Sequence, residues 1–470
     1  MRYCLSLNII ANGAALSLPQ SLSLLNRIHI RKLNIMNNTT TRQVIIIGHG
    51  NEALNAAIVM ASLDKPVTLI GQADDISATL DHYRFERQLL SLWDLYTKEQ
   101  KIRVFEHITP VQEGDCFASL CQADFDRAVI WVFMDMLTEA QLTELPQLLT
   151  SPHQQIILSG LTQIGQAHDL DQQFYSHWVY YFPLTFMKDG ANFSSMLHPD
   201  VVLIGEKTPN SYTHSQELLF FIRHAEQHSV ADITTVEFSR ASLMTMLATR
   251  ISFMNEMARL ADSMGVDIQR VQQMMGLDKR IGKDFLAAGW GFGGRALPAE
   301  LKGLIDTFSD NQVSNVLVEA VQVINEDQKE LIFRKFWRHF DGFIDGKTVV
   351  IWGAGYRNGT GRTTHSAIHP LLKLLWSYQI KTLVFATNTA FELNQLYGDT
   401  PLFGIIDNPY QSLAHADGLF IINWSELQPP NIDYLNQVAV PIFDAKNVIS
   451  QADTERLVGD YYGIGRGNKV

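Results

Sequence analysis

Cysteine is scarce in this chain: Cys4, Cys116 and Cys121 are the only three in 470 residues. They build neither a disulfide framework nor a paired metal-ligand spacing, and they read as reduced thiols of a cytosolic protein. Long apolar runs are missing too, so no segment is expected to span a bilayer. Positive charge is in short supply. The 37 Lys and Arg against 49 Asp and Glu leave a formal net charge of −12, with no basic stripe to offset it. A nucleic-acid partner is therefore not expected. What remains, 46% hydrophobic and 18% charged, is globular composition in a chain too long for one core. Two or three domains follow.

The first 41 residues contain no Asp or Glu, while Arg2, Arg27, Arg31 and Lys32 stand among Leu and Ser. A targeting peptide would add an apolar core and a small-residue cleavage site, and neither is clean here. Met36, followed by Asn37-Asn38-Thr39-Thr40-Thr41, reads as the expected start, with residues 1–41 an over-extended or disordered extension.

Regular structure is predicted from Val44-Ile45-Ile46-Ile47, a buried strand that runs into Gly48-His49-Gly50-Asn51-Glu52-Ala53. Leu54, Ala57, Ile58 and Ala61 then recur at helical spacing before a second strand at 67–70, which makes a βαβ unit. Further strands are predicted at 128–133 and 155–158. Long helical patterns cover 237–264 and 268–275. A second βαβ pattern opens at Gly346, with a strand at 349–352, Gly353-Ala354-Gly355, a helix bearing Leu371, Leu372 and Leu375, and a strand at 382–385. Strands at 418–422 and 440–443 follow. The expected class is α/β: two Rossmann-like, doubly wound parallel-sheet domains joined by a helical central domain. The expected bounds are 42–210 for the dinucleotide-binding domain, 211–330 for the helical domain and 331–470 for the second Rossmann-like domain.

In a G-x-G-x-x-G turn the first glycine makes the bend, the second admits a pyrophosphate and the third lets helix and strand pack. The anion rests on the helix N-terminus. Gly48, Gly50 and Ala53 fill these places, with Asn51 in the first turn, and the predicted cofactor is NAD, with NADP or a vestigial pocket as alternatives. Glu52 brings a negative charge to where the pyrophosphate would lie. Gly71 stands where an acidic ribose ligand is expected, though Asp74 and Asp75 lie close behind.

The stretch 237–304 resembles the UDP-glucose/GDP-mannose dehydrogenase family. Ala248-Thr249-Arg250-Ile251-Ser252-Phe253-Met254-Asn255-Glu256 matches its Ala-x-x-Ile-Ser-Phe-x-Asn-Glu segment. Asp278-Lys279-Arg280-Ile281-Gly282 and the loop Gly289-Trp290-Gly291-Phe292-Gly293-Gly294-Arg295-Ala296-Leu297-Pro298-Ala299-Glu300 follow in the family's order. Further on, Gly353-Ala354-Gly355-Tyr356-Arg357-Asn358-Gly359-Thr360 looks like its Gly-Leu-Ala-Phe-Lys-x-x-Thr loop. The resemblance covers roughly residues 42–467.

That resemblance implies a four-electron oxidation of a sugar C6 alcohol to a carboxylate, consuming two NAD molecules in turn. It also implies a nucleotide-sugar substrate and a homodimer paired through the long helix. After the first hydride leaves, the aldehyde must be converted to something that can lose a second, and a cysteine thiolate adds to it. At the cysteine position this chain has Ala296, which is no nucleophile. The lysine position is Arg240, a fixed charge that cannot serve as a base. The asparagine position is Met244, the aspartate position Glu300, and the catalytic glutamate position Thr185. Glu300 and Arg240 are left as candidate catalytic residues. The resemblance gives Asn255, Arg280, Gly291, Phe292, Gly293, Gly294 and Arg357 as the substrate-binding set, Arg280 reaching the neighbouring subunit's substrate. Full alcohol-to-acid oxidation is not expected. Three readings stay open: a single two-electron NAD(P)-dependent step with Glu300 as base through a water, a silent nucleotide-sugar-binding protein or partner of an active homologue, and a site refitted for another metabolite.

Overall fold

The computed structural model describes residues 42–105, 125, 127–149, 152–424, 426 and 428–467. The predicted extension 1–41 and all three cysteines lie outside the described residues. The described residues from Gln43 onward form one compact unit.

The first sheet holds eight strands: β1 (Val44–Ile47), β2 (Val67–Ile70), β3 (Ile102–Phe105), β4 (Val129–Phe133), β5 (Gln155–Ser159), β6 (Trp178–Tyr181), β7 (Val201–Glu206) and β8 (Gln227–Ala231). Their order is β3-β2-β1-β4-β5-β6-β7-β8, parallel except where β6 meets β7. β1, β2, β4 and β5 are buried along their whole length, which is why they read as continuous apolar runs without alternation. The sheet continues to Ala231, past the boundary expected at 210. The short β3 and the partly polar β7 and β8 carry no comparable run, and the sequence did not announce them.

The second sheet holds β9 (Thr348–Trp352), β10 (Lys381–Phe385), β11 (Phe403–Ile406), β12 (Gly418–Ile421), β13 (Ile442–Asp444) and β14 (Tyr461–Tyr462), in the order β11-β10-β9-β12-β13-β14, all parallel. Two doubly wound sheets around helices are therefore present, as the sequence pattern predicted.

Between them runs a 32-residue helix, Ile233–Met264, about 48 Å long at 1.5 Å per residue. Asp232 caps it by accepting from the Thr235 N–H, and Gly265 ends it in the left-handed region at φ 69°. It packs against the helices Ala296–Asp310 and Val316–His339. Its length serves the site, because Arg240 near one end meets the first sheet while Ala258 and Ala261 near the other join the core of the second. Among the described residues no helix is long and apolar enough to cross a membrane.

Candidate functional site

The turn after β1 has the shape of an anion cradle. Gly48 has φ 146°, and a Cβ there would lie 2.9 Å from the Phe133 Cβ, so packing of β4 dictates glycine. Its N–H donates to the Ile70 carbonyl. Gly50 caps the helix Asn51–Ser62 without a side-chain hydrogen bond, and Ala53 is fully buried. Packing thus requires glycine at position 48, whereas the nearest neighbour of Gly50 is the flexible end of the Met136 side chain.

Other features of the cradle oppose a dinucleotide. A Cβ on Gly50 would fall 2.8 Å from Met136 Cε and 2.9 Å from its sulfur, so the thioether covers the face a pyrophosphate would approach. Glu52, half-buried in the first helical turn, lines the cleft. Burial pushes its carboxyl up, while the guanidiniums of Arg295 and Arg240 pull the other way. At Gly71 a Cβ would sit 3.1 Å from the His49 Cβ, so a side chain there would press on His49. Asp75 faces His49 at 3.8 Å. The turn survives with Met136 and Glu52 set beside it.

Beside the cradle opens a cleft with about 850 Å³ of empty space, continuous with solvent. It brings together Asn51, Thr185, Arg240, Met244, Ala296, Glu300 and Arg357 of the residues singled out in the sequence. Ala296 starts the helix Ala296–Asp310, which points its first turn at the cleft. Arg240 is only 4% exposed. Its Nη1 donates to the Gly160 carbonyl at 2.7 Å and to the Tyr181 hydroxyl, and its Nη2 donates to the Thr162 carbonyl at 2.7 Å. Glu300, equally buried, meets Arg240 Nη2 at 2.5 Å. Burial pushes the Glu300 carboxyl up, with Arg240 opposing. A carboxylate held this way stabilises a cation, and to act as a base it must first give up its partner. Losing one member of such a pair typically costs about 3–5 kcal/mol.

The opposite wall comes from both sheets. Asp189, between β6 and the helix Asn192–Leu197, accepts from the Tyr356 hydroxyl and, at 3.5 Å, from that of Tyr83. Burial, and then the Asp189 carboxylate, push both phenols up, so they stay protonated donors. Arg357 Nη2 donates to the Asp189 carbonyl, and its buried Nε has no hydrogen-bond partner among the described residues. Of the cations lining the cleft, Arg240 and Arg295 are held by carboxylates, whereas Arg357 has none within ion-pair distance among the described residues.

The remaining predicted residues are placed elsewhere. Asn255 is buried, and its Oδ1 accepts from the Gly289 N–H at 2.8 Å. Phe292, 4% exposed, donates its N–H to Asn325 Oδ1. Gly291, Gly293 and Gly294 are packing contacts: a Cβ on Gly294, where φ is 81°, would press on the Tyr356 ring at 2.8 Å. Gly291, Phe292, Gly293 and Gly294 are not among the residues that line this cleft. The loop is a joint between the central helices and the second sheet. Arg280 stands outside the cleft of its own chain, 89% exposed and paired with Asp278 at 2.6 Å. Sequence reasoning missed Asp135, Tyr83, Asp189 and the role of Arg295, because the contacts that make them part of the site join segments far apart in the chain.

Comparison with known proteins agrees with this architecture. Residues 234–327 match the sequence model of the UDP-glucose/GDP-mannose dehydrogenase family, central domain. The chain is similar to UDP-glucose 6-dehydrogenase of Pseudomonas aeruginosa, 31% identical over 288 residues, or 60% of this chain and 64% of the relative. The Rickettsia bellii protein of the same name is 27% identical over 284 residues, 60% of this chain and 65% of the relative. The match thus spans less than two thirds of either relative. Among solved structures, a UDP-glucose dehydrogenase from Pyrobaculum islandicum superposes with TM-score 0.75 at 18% identity, covering 92% of this chain and 99% of that one. A UDP-D-ManNAc dehydrogenase from Pyrococcus horikoshii gives 0.70 at 17%, covering 90% and 99%. At such identities the likeness speaks for the fold alone. Residues 234–327 thus carry the central domain of the UDP-glucose/GDP-mannose dehydrogenase family, and the whole fold is similar to that of the solved dehydrogenases.

Proposed function

We propose that this protein binds a nucleotide sugar in the cleft and does not carry the sugar's C6 alcohol through to a carboxylate. One observation carries the reading. The wall where a nucleophile would stand offers the Ala296 methyl group, flanked by Arg240 and Glu300 already committed to each other at 2.5 Å. No thiohemiacetal can form on a methyl group, so the second oxidation has no covalent route. Arg357, which lines the cleft with no carboxylate in ion-pair distance among the described residues, supports a diphosphate-bearing ligand. The test is calorimetric titration with UDP- and GDP-sugars, alongside incubation with NAD or NADP and mass analysis of the sugar. Binding without uronate is the expected result, and a uronate formed at multiple turnover would sink the proposal.

The intact Gly48-Gly50-Ala53 turn favours a second reading, a single two-electron step by an NAD- or NADP-dependent oxidoreductase with Glu300 as base through a water. A homodimer fits either reading. Leu243, Met246, Phe253, Leu260 and Met264 are exposed along one stripe of the central helix, at spacings built from threes and fours. Sedimentation of the full chain at micromolar concentration tests it, with a monomer as the contrary outcome.

A further inference from the structure

An open parallel sheet receives its ligand outside the carboxyl ends of its strands, where the strand order reverses. Here that point lies between β1 and β4. A dinucleotide seated there must lay its pyrophosphate on the Asn51–Ser62 helix terminus and carry its nicotinamide past the end of β4 toward Ala296. This chain's own side chains lie along both stretches of that path.

At the helix terminus, Met136 lies on the open face of Gly50, and Glu52 turns its carboxyl into the cleft. A carboxylate in a first turn takes for itself the positive end of the helix dipole, which a pyrophosphate would otherwise use. A neutral Glu52 no longer repels the phosphates and still fills the space. At the end of β4, Asp135 is 9% exposed and lies against Gly160, where a Cβ would come 2.1 Å from its Oδ1. Arg295, from the loop before Ala296, reaches across the crevice and ion-pairs with Asp135. Apart from that ion pair, the Asp135 carboxylate has no hydrogen-bond partner among the described residues. Swinging Arg295 aside would therefore leave a buried carboxylate unpaired, a cost that opposes opening the crevice, although the Arg295 side chain is 46% exposed.

We infer that Glu52, Met136 and the Asp135–Arg295 pair form an internal plug, and that the N-terminal sheet accepts neither NAD nor NADP. The inference deepens the proposed loss of oxidation and excludes its two-electron alternative. It is read with dinucleotide alone, so a failure to bind nucleotide sugars would leave it standing.

The experiment titrates the full-length protein with NADH and NADPH, following nicotinamide fluorescence, with equilibrium dialysis of NAD as a second measurement. The wild type is expected to show no saturable binding up to about 1 mM. A dissociation constant in the micromolar range would overturn the plug outright. The triple variant Glu52→Val, Asp135→Ser, Arg295→Ser removes the ion pair together with the Glu52 carboxyl and is expected to gain saturable binding, at least about tenfold tighter than the wild-type limit. Should that variant melt below working temperature, Glu52→Val with Met136→Ala opens the pyrophosphate end alone and is expected to gain binding in the same direction. A folded variant of either kind that gains no binding overturns the assignment of the plug to these residues.

Discussion

After β1, the chain runs from Gly48 through Gly50 straight into a helix that begins at Asn51; after β9, Gly353 and Gly355 are followed by a loop that reaches residue 367 before the helix Ile368–Ser377 begins. The immediate helix puts free N–H groups at the crevice, the geometry that serves a phosphate. The delayed helix frees some twelve residues to reach the other half of the molecule. Tyr356 and Arg357 from that loop bind Asp189, and Gly361 leaves room for the Phe85 ring, which would lie 2.0 Å from any Cβ there. One glycine turn thus retains a ligand-binding form with its own side chains set against the ligand, and the other has become a seam. The same local grammar therefore does not fix a use; the length of the loop before the helix and the charges around it do.

The largest effect should come from breaking the centre of the first half. Arg240→Ala strands Glu300 in a buried site and is expected to cost about 3–5 kcal/mol, read by denaturant melting. Adding Glu300→Gln to that variant should recover part of the loss; no recovery would mean the pair is not coupled. Next comes the seam: Gly361→Val must displace Phe85 and should cost about 1–3 kcal/mol, and Phe85→Ala in the same chain should relieve it.

A third test uses pH. Burial pushes the Glu86 carboxyl up to about 7, against the N–H of Gly190 and the Asn192 amide that it accepts from, with the Asp189 carboxylate adding to the rise. Its proton is therefore held more tightly in the folded state than in the unfolded chain, whose ordinary value is 4.5. The stability from neutral Glu86 is full below that value and is lost as pH rises through about 7. The slope approaches about 1.4 kcal/mol per pH unit at most. Glu86→Gln should flatten that part of the melting-temperature profile, and an unchanged profile would count against it. The smallest effect on the fold is expected at Arg357. Arg357→Met should weaken nucleotide-sugar binding about tenfold while leaving the melting temperature nearly unchanged; equal affinity would remove Arg357 from the binding set.

Much of this was legible in the amino-acid order. The buried strands announced themselves as apolar runs, and the motifs around Asn255, Arg280 and Gly293 carried the family. Ala296 showed the missing nucleophile directly. The pairings were not legible. Arg240 and Glu300 lie sixty positions apart, and Asp135 and Arg295 still further, so no local pattern shows that either pair meets. The packing of the glycine-rich loop was equally hidden. Its motif suggests ligand contact, and burial against Asn325, His365 and Tyr356 makes Gly291, Gly293 and Gly294 a joint.

The sequence by itself determined the two parallel sheets, the long central helix and the absence of a thiol at position 296, because periodicity and residue identity are local properties. Only the tertiary structure decided that Arg240 holds Glu300, that Arg295 holds Asp135 across the β4 end, and that Glu52 and Met136 face the glycine turn. Those are contacts between distant segments, and their energetics depend on burial, which no single stretch of sequence encodes.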